Sequence, residues 1–278
     1  MRAVVYVDQE SHRARVVGKA MAGGLRRHGI RPVLTDDRRP VVAGDVAIAY
    51  GWVNRPLFEA YRGAGGHFVY IDLGYWNRRP DGDPFGGHHK VVVDGRHGTG
   101  QFRRQRPRDR LRGAPRIRPW REDGSHILLA GLSAKAAASC GLEPLQWERE
   151  TVERLRRLTE RPILYRPKPS RSGVMGSLPG AALSDPRRPL DADLRDAWAL
   201  VTRHGNISLD ALAAGVPVHA EEGLGSVLSM PGLEHVAAPP LPEGREQLFA
   251  DVSYCQWSIA EMRDGLCWAH LVADGLLA

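Results

Sequence analysis

The chain has 278 residues, of which 42% are hydrophobic and 26% charged, with a formal net charge of +7 and a pI near 9.7. This composition excludes a disordered or fibrous chain and is ample for two domains with true cores. No apolar run reaches the roughly 18 residues of a membrane span. The opening MRAVVYVDQE lacks the basic head and small-residue cleavage site of a secretory leader, so the expected setting is soluble and cytoplasmic. Cys140, Cys255 and Cys267 are scattered without a CxxC spacing, which argues against a disulfide framework or a zinc site.

The positive charge is arginine. Lysine occurs only at Lys19, Lys90, Lys135 and Lys168, leaving 35 arginines. Residues 101–121 hold nine arginines against the single acid Asp109. Such a stripe either attracts phosphate polymers or simply solvates a connector.

In chain order, the first half alternates strand and helix. Residues 2–7 read as a strand, and 12–28 as a helix with apolar Val16, Val17, Ala20, Met21 and Leu25, stopped by Gly29. Strands follow at 31–35 and 45–50. Asn54 is expected to cap a helix that carries Pro56 in its first turn, and strands return at 67–71 and 89–93. Near-continuous apolar strands separated by helices predict a parallel sheet covered on both faces. Their ends, Asp8, Gly51, Asp72 and Asp94, form an expected rim, because open α/β sheets bind ligands beyond the carboxyl ends of their strands. Residues 98–121 are rich in Gly, Arg and Pro and lack periodicity, which marks a boundary.

The second half repeats the alternation, with strands at 126–131, 162–166, 198–202 and 216–220 and helices at 146–159, 191–197 and 206–214. A Gly/Ser/Pro loop spans 170–189, a short helix falls near 225–230, and helical stretches occupy 244–253 and 258–272. Ser258 and Glu261 have the spacing of a capping box.

The most informative segment is 199–220, ALVTRHGNISLDALAAGVPVHA. It reads strand, polar turn, helix, glycine, strand. The turn His204-Gly205-Asn206 offers backbone N–H groups at a helix N-terminus, where the dipole favours an anion such as a diphosphate. Asn206 or Ser208 can cap the helix or bond a phosphate oxygen. Thr202, Gly205, Ala211, Gly215, Pro217 and Val218 resemble the nucleotide-sugar turn in the carboxy-terminal lobe of GT-B-type glycosyltransferases and their epimerase relatives, with Asp210 standing where the family has glutamate. The tail at 251–265 and the spacing of the loop 72–97 are also similar to glycosyltransferase-like proteins of tailed bacteriophages.

The resemblance implies an α/β fold of two Rossmann-like lobes with parallel sheets facing a central cleft. It divides the chain into an acceptor-side lobe (1–100), an Arg-rich linker (101–121), a nucleotide-sugar lobe (122–245) and C-terminal helices (246–278) packing back on the first lobe and bracing the two. It implies a metal-independent transferase with a nucleotide-sugar co-substrate, a UDP-sugar foremost, and no bound cofactor. The donor-binding residues it implies are Ser133, Lys135, Arg166, Lys168, His204, Gly205, Asn206, Ser208 and Glu222. A general base must take the acceptor proton, and Asp72, His97 and Asp8 are the candidates at the rim. Asp72 also suits the cap of a turn, His97 a backbone hydrogen bond, and Asp94-Gly95 a tight turn. Tyr75, Trp76, Arg103, Arg104 and Arg106 are expected on the acceptor side. The arginines and aromatics suit a hydroxymethylpyrimidine in phage DNA, flipped from the duplex. Two other readings stand beside this one: a nucleotide-sugar 2-epimerase, and a non-enzymatic nucleic-acid-binding protein on a transferase scaffold.

Overall fold

The computed structural model describes every residue except 38, 40–41, 79–86, 169–175, 186 and 278. The elements run β1 (Ala3–Tyr6), α1 (His12–Arg27), β2 (Val33–Thr35), β3 (Val46–Tyr50), α2 (Arg55–Gly63), β4 (His67–Leu73) and β5 (His88–Val93). Next come β6 (His126–Ala130), α3 (Ala134–Ser139), α4 (Gln146–Arg156), β7 (Ile163–Arg166), β8 (Ala182–Leu183), α5 (Leu190–Leu194), β9 (Ala197–Thr202), α6 (Ile207–Ala214) and β10 (Val218–Ala220). The chain ends with α7 (Arg245–Ser253), β11 (Gln256–Ser258), α8 (Ile259–Arg263) and α9 (Leu266–Ala273). Two compact units emerge. One joins Met1–Ala114 to Phe249–Ala278, and the other is Pro115–Leu248. The stretch 101–121, read from the sequence as a linker, is thus divided between them. No helix among the described residues is long and apolar enough to cross a membrane.

The first unit has a six-stranded sheet in the order β11-β5-β4-β3-β1-β2. β2, β1, β3 and β4 are parallel, while β5 and β11 are antiparallel to their neighbours. Val5, Val17, Leu25, Ile48 and Ile71 fill the core under α1, and Tyr6, Phe58, Tyr61, Phe68 and Tyr70 fill the other face under α2. The alternation of sides along each strand is the period of two that places successive side chains on opposite faces. Asn54 holds the N-cap position of α2 but does not cap it; its amide donates to the carbonyls of Tyr50 and Gly51 instead. β11 was not legible as a strand. It pairs Gln256 with Lys90 and Ser258 with His88. Ser258 then starts α8 with a complete capping box, and Gly265, at φ +84°, breaks what the periodicity suggested was one helix.

The second unit has a five-stranded parallel sheet, β10-β9-β6-β7-β8. Ile127, Leu129, Tyr165, Ala199 and Val201 pack beneath Trp147, Val152 and Leu155 of α4. α6 ends at Gly215, which is left-handed at φ +79°.

Gly24 brings α1 directly against the turn after α8: a Cβ there would collide with the Met262 carbonyl. Gly24→Ala improves helix propensity by about 1 kcal/mol, but overpacking at a close backbone approach costs about 1–3 kcal/mol. Urea unfolding is expected to show a net loss of up to about 2 kcal/mol. A stabilised variant would contradict this packing.

Candidate functional site

In the second unit, strand register brings four strand ends level. Ala130 pairs with Arg166 on one side and Thr202 on the other, and Thr202 pairs with Ala220. The segments leaving this row are Pro167-Lys168, Gly131-Leu132-Ser133, Arg203-His204-Gly205-Asn206 and Glu221-Glu222. This is the carboxyl edge of a parallel sheet, where α/β proteins bind ligands.

The His204–Asn206 turn stands at the start of α6. Gly205 adopts φ +154°, a conformation that side-chain-bearing residues rarely take. A Cβ would have space, so the backbone angle is what demands glycine. His204 is buried, and Asn206 occupies the N-cap without a side-chain cap bond. The positive end of the helix is therefore not quenched by its own cap. Ser208 differs from expectation: it is fully buried, its hydroxyl donates to the Gly205 carbonyl at 2.7 Å, and Gly225 closes over it. It shapes the turn rather than meeting a phosphate.

Arg166 also has another use. Its guanidinium is ion-paired with Asp193, a fully buried carboxylate that also holds Arg188 at 3.2 Å and Ser184 at 2.6 Å. Lys168 and Lys135 are exposed near the row, whereas Pro169 and residues 170–175 lie outside the described residues. Ser133 caps α3, accepting from the Ala136 N–H at 3.2 Å. Glu222 is tied to Arg203 at 3.3 Å, and Glu221 takes Arg203 at 2.6 Å and the Trp147 indole N–H at 2.6 Å.

Glu148 escaped the sequence reading. It is buried at the end of β6, where it accepts the Leu132 N–H at 2.6 Å. Gly131 is obligatory beside it, since a Cβ would lie 2.7 Å from the Tyr165 ring and 3.0 Å from the Glu148 carboxylate. The second Glu148 oxygen and the Tyr165 hydroxyl are both buried with no hydrogen-bond partner among the described residues. Burial, then the nearby Glu148, pushes the Tyr165 phenol upward. The signal was present in the sequence: Glu148 sits three, four and seven residues before Thr151, Val152 and Leu155, on the apolar stripe of its helix.

In the first unit, Asp8 and Gly51 follow the parallel strands β1 and β3, and Asp72 lies in the last two residues of β4. Asp94 does not join them. Because β5 is antiparallel, its end returns to the start of β4, where Asp94 accepts the Phe68 N–H at 2.8 Å and meets His67 at 2.6 Å. His97, which follows, leads a short 3-10 turn without capping it. The start of β5 takes the place at the rim instead, for Lys90 pairs across from Asp72 and His89 from Leu73.

Asp72 accepts from the Tyr70 hydroxyl at 2.6 Å and from the Leu73 N–H at 2.8 Å. Tyr50 interacts with both Asp72 and Arg13, and burial pushes its phenol up to about 12. His89 is fully buried, with Nδ1 donating to the Gly87 carbonyl at 3.1 Å. Burial and then Arg13 hold its pKa down at about 4, against smaller upward pulls from Gly87 and Asp72.

Tyr75 and Trp76 are buried, at 5% and 7% exposure. Gln256 clamps their backbone N–H groups at 2.8 and 3.3 Å, and Trp76 stacks on Phe249 at 5.6 Å. They are packed rather than offered to a base. The first arginines of the stripe are held within the first unit, Arg106 buried and Arg103 and Arg104 exposed. Arg106 is buried in an ion pair with Asp274, Arg104 reaches the same carboxylate at 2.9 Å, and Arg103 donates to the Gly275 carbonyl at 3.0 Å. Arg110 pairs with Glu261 at 2.6 Å and lies 4.0 Å over the Trp257 ring.

No protein-family model matches the chain, and no curated protein matches it. Among solved structures it is similar to the β-Kdo 2,4-transferase of KpsC from Thermosulfurimonas dismutans, at 12% identity over 91% of this chain and 90% of that one, with a TM-score of 0.52. The β-Kdo 2,7-transferase of the same KpsC aligns at 14% identity over 90% and 89%, again with a TM-score of 0.52. The glycosyltransferase SnogD from Streptomyces nogalater aligns over 99% of both chains at 12% identity, but its TM-score of 0.27 carries no argument. At these identities the likeness is one of fold. The chain has the α/β fold of two Rossmann-like units found in GT-B-type glycosyltransferases.

Two outcomes test this description. Between pH 6.5 and about 4 the unfolded chain binds a proton that native His89 refuses, so stability falls as pH drops through that window. At about 1.4 kcal/mol per unit, the loss is on the order of 3 kcal/mol. His89→Asn should flatten the acid limb of a urea-unfolding series, and equal slopes would refute the assignment. Arg106→Ala, which leaves the buried Asp274 with only His270 and the exposed Arg104 beside it among the described residues, is expected to cost about 3 kcal/mol. Arg103→Ala, at the surface, should cost under about 1 kcal/mol; equal effects in thermal unfolding would restore the stripe as a solvated surface.

Proposed function

We propose that the protein transfers a glycosyl group from a nucleotide-sugar, with UDP-sugars the first donors to test, to a hydroxyl acceptor. The observation that carries this reading is the His204-Gly205-Asn206 turn: a positive-φ glycine and an uncapped helix start at the carboxyl edge of a parallel sheet. Backbone N–H groups and a helix dipole at that place suit a diphosphate leaving group. The fold shared with the KpsC transferases supports the same reading. Lys168, Lys135, Ser133, Asn206 and Glu222, in or just after the loops that leave the same row of strand ends, complete the proposed donor site.

In the reaction, the acceptor oxygen bonds to the anomeric carbon while the bond from that carbon to the phosphate oxygen breaks. The electron pair leaves with the nucleotide diphosphate, and the acceptor proton passes to a base. Asp72 is the base this reading favours, because its rim position is half-buried and its orientation is fixed by Tyr70 and Leu73. Asp8 shares that edge, but His97 does not follow a strand that ends there. For a polyanionic acceptor such as phage DNA, Arg103, Arg104 and Arg106 are engaged within the first unit, while Arg116 and Arg118 are exposed.

Thermal unfolding of the full chain with UDP, GDP, CMP and their sugar conjugates is the direct test. One nucleotide should raise the midpoint, corresponding to about 2.7 kcal/mol at a hundredfold excess over Kd, and Gly205→Val should abolish the shift. With the matching donor, Asp72→Asn should lower kcat by about 10²–10⁴. No shift with any nucleotide sinks the donor reading. Full turnover by Asp72→Asn sinks the base assignment.

A further inference from the structure

The far end of α6 carries a second concentration of positive charge, and this inference does not rest on the transferase reading. Residues 115–121 cross that end as a strap. The Arg118 N–H donates to the Ala213 carbonyl and the Arg121 N–H to the Gly215 carbonyl, each at 2.8 Å. Gly215 lets the strap lie against it, since a Cβ there would collide with the Pro119 carbonyl. Arg245 fastens the strap from outside. It donates to the carbonyls of Arg118 and Leu212 at 2.8 and 2.9 Å and lies 3.8 Å over the Trp120 ring. The strap backbone is therefore fixed without any ligand.

Strap, α5 and α6 line an open cavity of about 530 Å³ whose charged lining is Arg116, Arg118, Arg121, Arg195, Asp191 and Asp210. Of these arginines, Arg116, Arg118 and Arg195 are exposed and Arg121 is half-buried. Among the described residues the side chains of Arg116, Arg118 and Arg195 have no ion pair, and Arg121 only grazes Asp123 at 3.5 Å. The Nε of Arg121 is buried with no hydrogen-bond partner among those residues. A buried donor left unmet is costly, more so on a charged group. Like charges gathered in one recess add repulsion, and a bound anion relieves both.

Guanidinium forks match phosphate oxygens in pairs. The cavity is much larger than one phosphate ion and falls among ordinary small-molecule sites, which run about 300–1,000 Å³. Leu194 supplies an apolar wall for the rest of the ligand. We propose that this cavity binds a phosphate-bearing small molecule. Along α6 its lining residues are Asp210, Ala213 and Ala214, which begin four residues, about 6 Å, beyond Asn206 of the His204–Asn206 turn.

The test is isothermal titration of the full chain with pyrophosphate and with glucose 1-phosphate. The background is Gly205→Val, which disables the turn and leaves the cavity. One binding event should persist for at least one of the two ligands, and adding Arg116→Gln, Arg118→Gln and Arg121→Gln should weaken it at least tenfold. The exposed pair Arg116→Gln/Arg118→Gln gives the same reading if the triple variant fails to fold by circular dichroism. Unchanged binding by the arginine variants, or no binding of either ligand in the Gly205→Val background, overturns the proposal. So does arginine-dependent binding confined to a single-stranded DNA oligonucleotide.

Discussion

Everything at the carboxyl edge of the second unit depends on the hydrogen-bond register of its parallel sheet. Arg166, Ala130, Thr202 and Ala220 stand side by side, so four loops leave the sheet at one level. A shift of one residue would turn every side chain of a strand to the opposite face. Ile127 and Leu129 of β6, with Ala199 and Val201 of β9, all face one core and fix that register. The turn at α6, the buried Glu148 and the glycine beside it are positioned by this ladder more than by any contact among themselves.

The sequence reveals this unit well because its signals are local. A strand, a polar turn with glycine, an alanine-rich helix and a second glycine can be read residue by residue, and the structure keeps their order. The first unit is less legible for a physical reason. A run such as His88–Val93 says strand but carries no direction, and a parallel reading places Asp94 at the rim, where an antiparallel strand places His89 and Lys90. β11 spans only three residues ahead of a capping box, too short for periodicity to show. Charge is harder still to read. Arg166 looks like a phosphate ligand until Asp193, 27 residues away in sequence, is seen to hold it. Burial of Trp76 against Phe249 depends on a partner 173 positions along the chain.

The arginines sort into two populations that composition alone merges. Those between 103 and 110 fasten the first unit to its own late segment through Asp274, Glu261 and the rings of Tyr254 and Trp257. Those at 116, 118 and 121 ride on a strap whose backbone is held by α6 and Arg245. In the first population the charge is neutralised in place and acts as packing. In the second the backbone is satisfied and the side chains are left to solvent or to a ligand.

The return of Phe249–Ala278 to the first unit has a consequence for how the chain is made. On a ribosome, residues 1–114 emerge long before β11, Asp274 and Gln256, so the early sheet waits with β5 as a bare edge and Arg106 without its carboxylate. The continuous Pro115–Leu248 unit can complete itself first, although it is encoded second. The second unit is thus continuous in sequence, whereas the first needs the last thirty residues to cover the β5 edge.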